Sequence, residues 1–144
     1  MKIAIGSDHR GFRLKQELIG YLEKKGYQVK DFGTDSEDSC DYPRFARRVS
    51  DVVANKKCER GILICNSGLG MAMAANKNKA IRAANCFNLS TARFSRQHND
   101  ANILVLGAAF IDKNSAKRIA GVWLEEKFAA GRHLKRIKMF SKKR

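Results

Sequence analysis

The stretch GILICNSGLGMAMAANK, residues 61–77, joins a strand pattern to a tight turn and the start of a helix. Its run Ile-Leu-Ile-Cys is apolar at successive positions, which is typical of a strand buried on both faces of a sheet. Gly68 and Gly70 then allow the chain to reverse, and the Met- and Ala-rich residues after them predict a helix over residues 71–76. A buried strand that leads through a short turn into a helix favours a parallel sheet with helices on both faces.

The same alternation of strands and helices continues on both sides of this stretch. Besides the strand at 62–65, strands are predicted at residues 2–6, 27–32, 81–87 and 103–106. Further helices are predicted at residues 12–25, from Pro43 onward, at 90–97, and from a cap at Asn114 through Ile119, Val122, Trp123 and Phe128 to a break at Gly131. Because parallel strands need crossover connections, the sequence predicts a doubly wound, Rossmann-like α/β fold with a five-stranded parallel sheet. We expect a single domain, residues 1–144, in which residues 132–144 form a basic C-terminal segment.

Length and composition indicate a soluble globular protein. The chain has 144 residues, of which 44% are apolar and one is proline, and this is enough to bury one hydrophobic core. No apolar run approaches the roughly 18 residues of a membrane-spanning helix, and the start MKIAIGSDH is too short to be a signal peptide. We therefore expect a cytoplasmic protein that does not associate with membranes.

The cysteines and histidines do not form a metal-binding pattern. Cysteines stand at 40, 58, 65 and 86 without a C-x-x-C pair, and the histidines at 9, 98 and 133 are scattered. A structural zinc site is therefore not expected, and without a secretory signal neither is a disulfide framework. The default expectation is four thiols, most of them buried as small apolar groups.

Positive charge is concentrated in the later part of the chain. The formal charge is +15; residues 1–41 carry −1, residues 42–144 carry +16, and no acidic residue lies between Glu59 and Asp100. Such a field attracts anions, which include both nucleic acids and small phosphates. Phe140 is the single aromatic residue of the basic tail, and no nucleic-acid-binding motif is present. A nucleic-acid-binding module is therefore the weaker interpretation.

Three loops are expected to meet at the carboxyl edge of the sheet, where open parallel sheets bind their ligands. They are residues 7–9, residues 65–70 and the loop that begins at Gly107. In the second loop, backbone N–H groups and the helix start would favour the thiolate of Cys65 and hold a phosphate or an oxyanion, with the Ser67 hydroxyl nearby. A base beside such a site predicts proton abstraction next to a sugar carbonyl.

The same loop admits two plainer interpretations. A cysteine that ends an apolar strand is most often a buried core residue. The glycines also resemble a dinucleotide-binding fingerprint, but Met73 stands at the third glycine position, and the acidic residue expected about 20 positions later is missing. We therefore reject the dinucleotide interpretation, while the residues alone leave Cys65 as either a core residue or a base.

Charged and polar residues elsewhere are candidate ligands of an anionic substrate. Asp8 and His9 follow the first strand, and His98 lies at the end of a predicted helix. Arg132 and Arg136 are four residues apart, so they share a helix face that suits a phosphate. A solvated basic tail is the commoner explanation of such a pair.

Six motifs follow one another in the order and spacing of one known family: GSDHRGFRLK, DYPRFA, GILICNSGLGMAMAANK, IRAA, SRQHNDANILVLG and AGRHLKRI. Over nearly its whole length the chain resembles type B ribose-5-phosphate isomerase, whose relatives include the allose- and galactose-6-phosphate isomerases. The resemblance implies an aldose–ketose isomerase of pentose phosphate metabolism that needs no metal or organic cofactor. It also implies a homodimer, or a tetramer, whose active sites draw on both chains.

The resemblance further implies roles for individual residues. Cys65 would shuttle the proton between C1 and C2 through an enediolate, with the hydroxyl of Ser67 beside it. His98 would open the furanose ring, and Asp8 would assist at a sugar hydroxyl. The other implied ligands of the sugar or its phosphate are His9, Tyr42, Gly68, Gly70, Asn99, Arg132 and Arg136.

Two positions depart from the family pattern. Asn66 replaces the usual glycine after the cysteine, and its side chain is expected to constrain the turn. Ala109 stands where the family often has a phosphate-binding arginine, in the loop GAAFID, and Asp112 occupies a position where glycine is common. Losing one charged contact to phosphate costs about 1.5–3 kcal/mol of binding unless a nearby Arg or Lys replaces it.

The leading prediction is an isomerase that interconverts ribose 5-phosphate and ribulose 5-phosphate. A closer alternative keeps the reaction but changes the substrate to allose 6-phosphate or galactose 6-phosphate. A non-catalytic phosphosugar sensor on the same fold and the basic nucleic-acid-binding module remain as alternatives of other classes.

Overall fold

The computed structural model describes residues 1–140 and contains one five-stranded sheet. Its strands are β1 (Lys2–Ser7), β2 (Gln28–Asp31), β3 (Arg60–Cys65), β4 (Ala83–Asn85) and β5 (Ile103–Gly107). They lie in the order β2-β1-β3-β5-β4, and each neighbouring pair is parallel. The predicted doubly wound, Rossmann-like α/β fold is confirmed.

The helices of residues 1–140 cover both faces of this sheet. They are α1 (Phe12–Lys24), α2 (Tyr42–Ala54), α3 (Leu69–Ala75), α4 (Leu89–Gln97), α5 (Lys113–Glu125) and the short α6 (Arg132–Ile137). Helices α1, α4 and α5 pack on one face, and α2 and α3 pack on the other.

Strand β3 lies at the centre of the sheet and supplies both cores. Ile62 and Ile64 point into the core beneath α1, α4 and α5, whereas Leu63 and Cys65 point into the core beneath α2 and α3. The three aliphatic side chains are fully buried. Because successive side chains of β3 point to opposite faces of the sheet and both faces are buried, every residue of the Ile-Leu-Ile-Cys run can be apolar.

The strand order reverses between β1 and β3. From β1 the chain crosses to β2 on one side, and it then returns to place β3 on the other side. The loops that follow β1 and β3 are therefore neighbours at the carboxyl edge, where the N–H of Asp8 donates to the carbonyl of Ile64 at 3.3 Å. This is the edge at which open parallel sheets form ligand sites.

Some predicted boundaries are wrong. The edge strand β4 covers three residues instead of 81–87, and α5 ends at Glu125, so that Phe128 lies outside it. The residue that caps α5 is Asp112 and not Asn114, because the Asp112 carboxylate accepts the N–H groups of Asn114 and Ser115 at 2.9 and 3.0 Å. Of the basic C-terminal segment, residues 141–144 lie outside the described residues.

Membrane insertion finds no support in the helices of residues 1–140. Their combination of length and apolar composition falls short of what a bilayer-spanning helix requires.

The contribution of the α5 cap to the stability of the fold should depend on pH. Its hydrogen bonds to the backbone and hydroxyl of Ser115 hold the pKa of Asp112 below its ordinary value. A carboxyl whose pKa is lower in the folded state stabilises the fold above its unfolded pKa of about 4, and this contribution disappears as the pH falls through the folded value. We expect Asp112→Ala to lower the urea midpoint at pH 7 and to make little difference near pH 2.

The control for this measurement is Asn114→Ala, which removes the residue that the sequence favoured as the cap. It should leave the urea midpoint unchanged or slightly raised, since alanine is the better helix former. A larger loss from Asn114→Ala than from Asp112→Ala would contradict the assignment of the cap.

Candidate active site

Cys65 is the last residue of β3 and lies under a turn formed by residues 65–68. The N–H of Gly68 donates to the Cys65 Sγ at 3.2 Å, and the side chain is almost fully buried. Ser67 stands beside it, where its Oγ accepts the N–H of Leu69 at 3.3 Å and keeps its own proton free to donate. The turn therefore holds a thiol and a hydroxyl together at the start of α3.

Glycine is required at position 68 but not at position 66. Gly68 has φ of +79°, and a Cβ there would lie 2.5 Å from the Oδ1 of Asn85. Asn66 is absent from the residues with positive φ, and its side chain is exposed. The expected constraint from Asn66 is therefore not seen, since the turn accepts a Cβ at that position.

Strand β5 and the loop that follows it lie directly against this turn. Gly107 at the end of β5 pairs with Cys65, and a Cβ at Gly107 would approach the Ser67 carbonyl oxygen to 2.5 Å. The N–H groups of Ala108 and Ala109 donate to the carbonyls of Cys65 and Asn66, both at 2.9 Å. The loop after β5 is thereby fixed to the Cys65 turn through its backbone.

The loop after β1 brings Asp8 and His9 to the same edge. Asp8 is nearly buried, and its Oδ1 accepts the N–H groups of Arg10 and Gly11 at 3.0 and 3.1 Å. Its second oxygen has no partner among residues 1–140 and is available to a hydroxyl. His9 accepts the N–H of Cys40 at its Nδ1, 3.2 Å away, so its Nε2 is the nitrogen that can donate to a ligand.

The segment that positions Cys40 is tied down by a buried lysine. Lys15 of α1 is fully buried, and its Nζ lies 2.5 Å from an Asp31 carboxylate oxygen and 2.6 Å from the Thr34 carbonyl. A buried ammonium is stable only when such partners satisfy it. Lys15 therefore fixes the start of the loop that leads to Cys40 and, through Cys40, the orientation of His9.

Tyr42 completes this group from the start of α2. A Cβ at Gly70 would lie 2.5 Å from the Tyr42 Cζ, so the phenol ring rests on the backbone of Gly70. We call the residues gathered at this edge the Cys65 cluster: Asp8, His9, Tyr42, Cys65, Ser67, Gly68 and Gly70.

His98 and Asn99 lie at the opposite, amino edge of the sheet. They belong to the turn after α4, and the carbonyls of Asn99 and Asp100 accept the Nε of Arg82, which directly precedes β4. The length of β5, five residues or about 16 Å, separates this edge from Cys65. One chain therefore does not bring His98 to its own Cys65.

A clamp of charged side chains shapes that turn. The Asp100 carboxylate binds Arg96 at 2.7 Å and Arg82 at 2.8 Å, and Arg96 is 4% exposed. Asp100 itself has φ of +46°, a left-handed conformation that is uncommon for a residue other than glycine. Two arginines thus hold the backbone in a bend that presents His98 and Asn99.

His98 stacks between two rings and beside two arginines. Its ring centroid lies 4.9 Å from Phe94 and 4.3 Å from His133. His133 lies between Arg132 and Arg136 on α6, and partial burial together with the positive charges of His98, Arg132 and Arg136 lowers the pKa of His133. We call the set His98, Asn99, Arg132, His133 and Arg136 the His98 cluster.

The predicted site residues thus fall into two groups, one at each edge. Sequence reasoning missed His133, Asn85 and Cys40 as members of these surroundings. For His133 a signal was present, because it stands inside the motif AGRHLKRI between the two arginines. Asn85 donates from its Nδ2 to the Ser67 carbonyl at 3.2 Å. The two residues are 18 positions apart, so no local sequence pattern predicts this contact.

The other cysteines differ from Cys65 in their surroundings. Burial raises the pKa of the Cys58 and Cys86 thiols, which disfavours their nucleophilic thiolate forms. Within residues 1–140 no group of three or more His, Cys, Asp or Glu side chains is arranged to hold a metal ion.

Comparison with known proteins places this geometry in a family. The model of the Ribose/Galactose Isomerase family matches residues 3–140. The structure of Clostridium thermocellum ribose-5-phosphate isomerase B superimposes with a TM-score of 0.95 at 50% identity, covering 96% of this chain and 93% of that one. Ribose-5-phosphate isomerase B of Escherichia coli is 43% identical over 136 residues, 94% of this chain and 91% of the relative.

Another relative is named for a different sugar phosphate. D-erythrulose-4-phosphate isomerase of Pectobacterium atrosepticum is 38% identical over 132 residues, 91% of this chain and 87% of the relative. The match of the family model to almost the whole chain, together with these identities, leads to one conclusion: this chain belongs to the Ribose/Galactose Isomerase family.

Proposed function

We propose that this protein is an aldose–ketose isomerase that interconverts ribose 5-phosphate and ribulose 5-phosphate by proton transfer through an enediolate. The observation that carries the proposal is the Cys65 turn, in which a thiol accepts a backbone N–H beside a free hydroxyl at the topological switch point. The similarity to two ribose-5-phosphate isomerases B supports the pentose substrate over the six-carbon alternatives.

Cys65 is the proposed base. As a thiolate it takes the proton from C2 of the open-chain aldose, while the carbonyl at C1 becomes an enediolate oxygen. The thiol then returns the same proton to C1, while the C2 hydroxyl gives up its proton to become the carbonyl and O1 takes up a proton to become the new hydroxyl. The Gly68 N–H at 3.2 Å stabilises the thiolate before the first transfer and after the second, and the Ser67 hydroxyl is placed to donate to the enediolate.

Asp8 and Tyr42 are proposed to position the sugar beside Cys65. The two backbone N–H groups on its Oδ1 fix the Asp8 carboxylate in place, so its free oxygen is positioned to accept a sugar hydroxyl. Tyr42 lies against Gly70 with its hydroxyl at the same edge. Gly68 and Gly70 let Asn85 and Tyr42 lie directly against the backbone of the turn, since neither glycine carries a side chain.

We propose that a second copy of the chain supplies the His98 cluster to each Cys65 cluster. His98 opens the furanose ring by moving a proton from the anomeric hydroxyl to the ring oxygen, and Asn99 binds a sugar hydroxyl. Arg132 and Arg136 then bind the phosphate from the partner, while His9 binds it from the chain that carries Cys65. The support is geometric: the two clusters lie at opposite edges of one sheet, so a complete site needs two chains.

A homodimer built in this way contains two equivalent sites, and a tetramer would contain pairs of such dimers. The expected setting is the cytoplasm, with a small sugar phosphate as the only partner besides the second copy. At the amino edge Arg82 and Arg96 are paired with Asp100, which leaves Arg132 and Arg136 to bind the phosphate of a small anion.

Replacing Cys65 tests the base. We expect Cys65→Ala to reduce kcat for ribose 5-phosphate by about a hundredfold to ten-thousandfold, the range that one general base contributes. Substrate binding, followed by calorimetry, should persist because the sugar and phosphate contacts remain. Cys58→Ala is the matched control and should keep full turnover, since Cys58 is a buried thiol far from the turn along β3. Turnover that survives in Cys65→Ala would exclude this residue as the base.

Mixing two inactive variants tests the shared site. Cys65→Ala and His98→Ala chains, refolded together in equal amounts, should regain about a quarter of wild-type kcat. Half of the random dimers are mixed, and one of the two sites in each mixed dimer combines an intact Cys65 with an intact His98. If each chain used its own His98, the mixture would stay as inactive as its components.

Substrate comparison separates the isomerase from its alternatives. The wild-type protein should convert ribose 5-phosphate with a higher kcat/KM than allose 6-phosphate or galactose 6-phosphate. The opposite order would make a six-carbon sugar phosphate the substrate. Ligand binding without exchange of the C2 proton with solvent would instead identify a phosphosugar sensor.

A further inference from the structure

One cleft at the carboxyl edge lies outside the contacts assigned so far. It has a volume of about 350 Å³ and lies between the loop after β1 and the loop after β5. Three cationic side chains and one carboxylate line it, together with Leu14, Ala108 and Ile111: Arg10, Arg13, Lys113 and Glu17. The cations outnumber the single carboxylate, and such an excess of positive charge in a small cleft attracts an anion.

Two of these three cations already have carboxylate partners. Arg13 binds Glu37 through two contacts, at 2.7 and 3.0 Å, and Lys113 lies 3.7 Å from Glu17. Arg10 differs, because within residues 1–140 its exposed guanidinium has neither an ion pair nor a hydrogen bond. Arg10 is therefore the cation of the cleft that can take a ligand without breaking an existing pair.

The cleft borders the two loops that are hydrogen-bonded to the Cys65 cluster, although no residue of that cluster lines it. The N–H of Arg10 donates to Asp8 at 3.0 Å, and Arg10 directly follows His9. On the other side, the N–H of Ala108 donates to the carbonyl of Cys65 at 2.9 Å. A ligand held between Arg10 and Ala108 thus lies next to both loops that carry the proposed chemistry.

The loop after β5 contains no cationic side chain, and Arg10 is a nearby cation that can take that role. Its residues Gly-Ala-Ala-Phe-Ile-Asp, 107–112, carry no positive charge, although its backbone is fixed against the Cys65 turn. A phosphate bound on this side of the site would therefore take its cationic partner from a neighbouring element.

We propose that Arg10 binds the phosphate of the substrate through its guanidinium and so selects phosphorylated sugars over neutral ones. This inference rests on the proposed function, because it assigns a residue to the same site. The planar fork of the guanidinium matches two phosphate oxygens, and its exposed position lets it turn toward the cleft without loss of a partner.

The test compares Arg10→Gln with Arg13→Gln, which removes an equal charge from the same cleft at a residue that is already paired. Binding of inorganic phosphate is measured by calorimetry, and kcat and KM are measured with ribose 5-phosphate and with unphosphorylated ribose. For Arg10→Gln we expect phosphate binding to weaken and KM for ribose 5-phosphate to rise about tenfold to a hundredfold. Its kcat, and its kcat/KM for ribose, should stay within about twofold of wild type.

Arg13→Gln should change none of these values by more than about twofold, since Glu37 already neutralises Arg13. Equal weakening by both variants would overturn the proposal, because it would indicate a general field and not a specific contact. Unchanged phosphate binding in Arg10→Gln would overturn it as well. A wild-type protein that binds phosphate through Arg10 but does not isomerise ribose 5-phosphate would refute the proposed function and leave the Arg10 contact standing.

Discussion

The burial of β3 on both of its faces is the constraint on which the rest of the structure depends. Its alternate side chains point into two separate hydrophobic cores. Helices must therefore cover both faces of the sheet, and the connections between parallel strands must cross over it. With β1 and β5 as its neighbours, β3 ends between the loops that follow those two strands. The position of Cys65 is therefore a consequence of core formation, and the site is assembled where hydrophobic packing has already aligned three strand ends.

Each edge of the sheet uses a satisfied ion cluster to hold irregular backbone. At the carboxyl edge, the buried ammonium of Lys15 binds Asp31 and Thr34 and fixes the loop that reaches His9. At the amino edge, Asp100 binds two arginines and stabilises its own left-handed backbone. Breaking such a cluster by removing one partner leaves an uncompensated charge, so these groups restrict the loops more strongly than exposed pairs do.

Hydrophobic patterning was sufficient to predict the fold, because each long element buries one clear face. It failed at the ends: Asp112 and Asn114 are both good caps, and only the three-dimensional hydrogen bonds show which one acts. The edge strand β4 is shorter than its apolar pattern, since it pairs on one side only. The motifs supplied the candidate residues of both clusters, but they could not show that His98 and Cys65 occupy opposite edges. Nor could they show that Asn85 and Cys40 contact the site, because both contacts join residues far apart in the chain.

The attachment of the loop after β5 has a consequence for how this protein can change over time. Main-chain hydrogen bonds from Ala108 and Ala109 hold the loop against the Cys65 turn, and the side chains of Ala109 and Phe110 are exposed and free of structural duties. Substitutions at these positions alter the exposed surface beside the Cys65 turn without moving the sulfur or the turn that supports it. Substitutions in this loop can therefore change substrate preference during evolution, while Cys65 and its turn keep their positions.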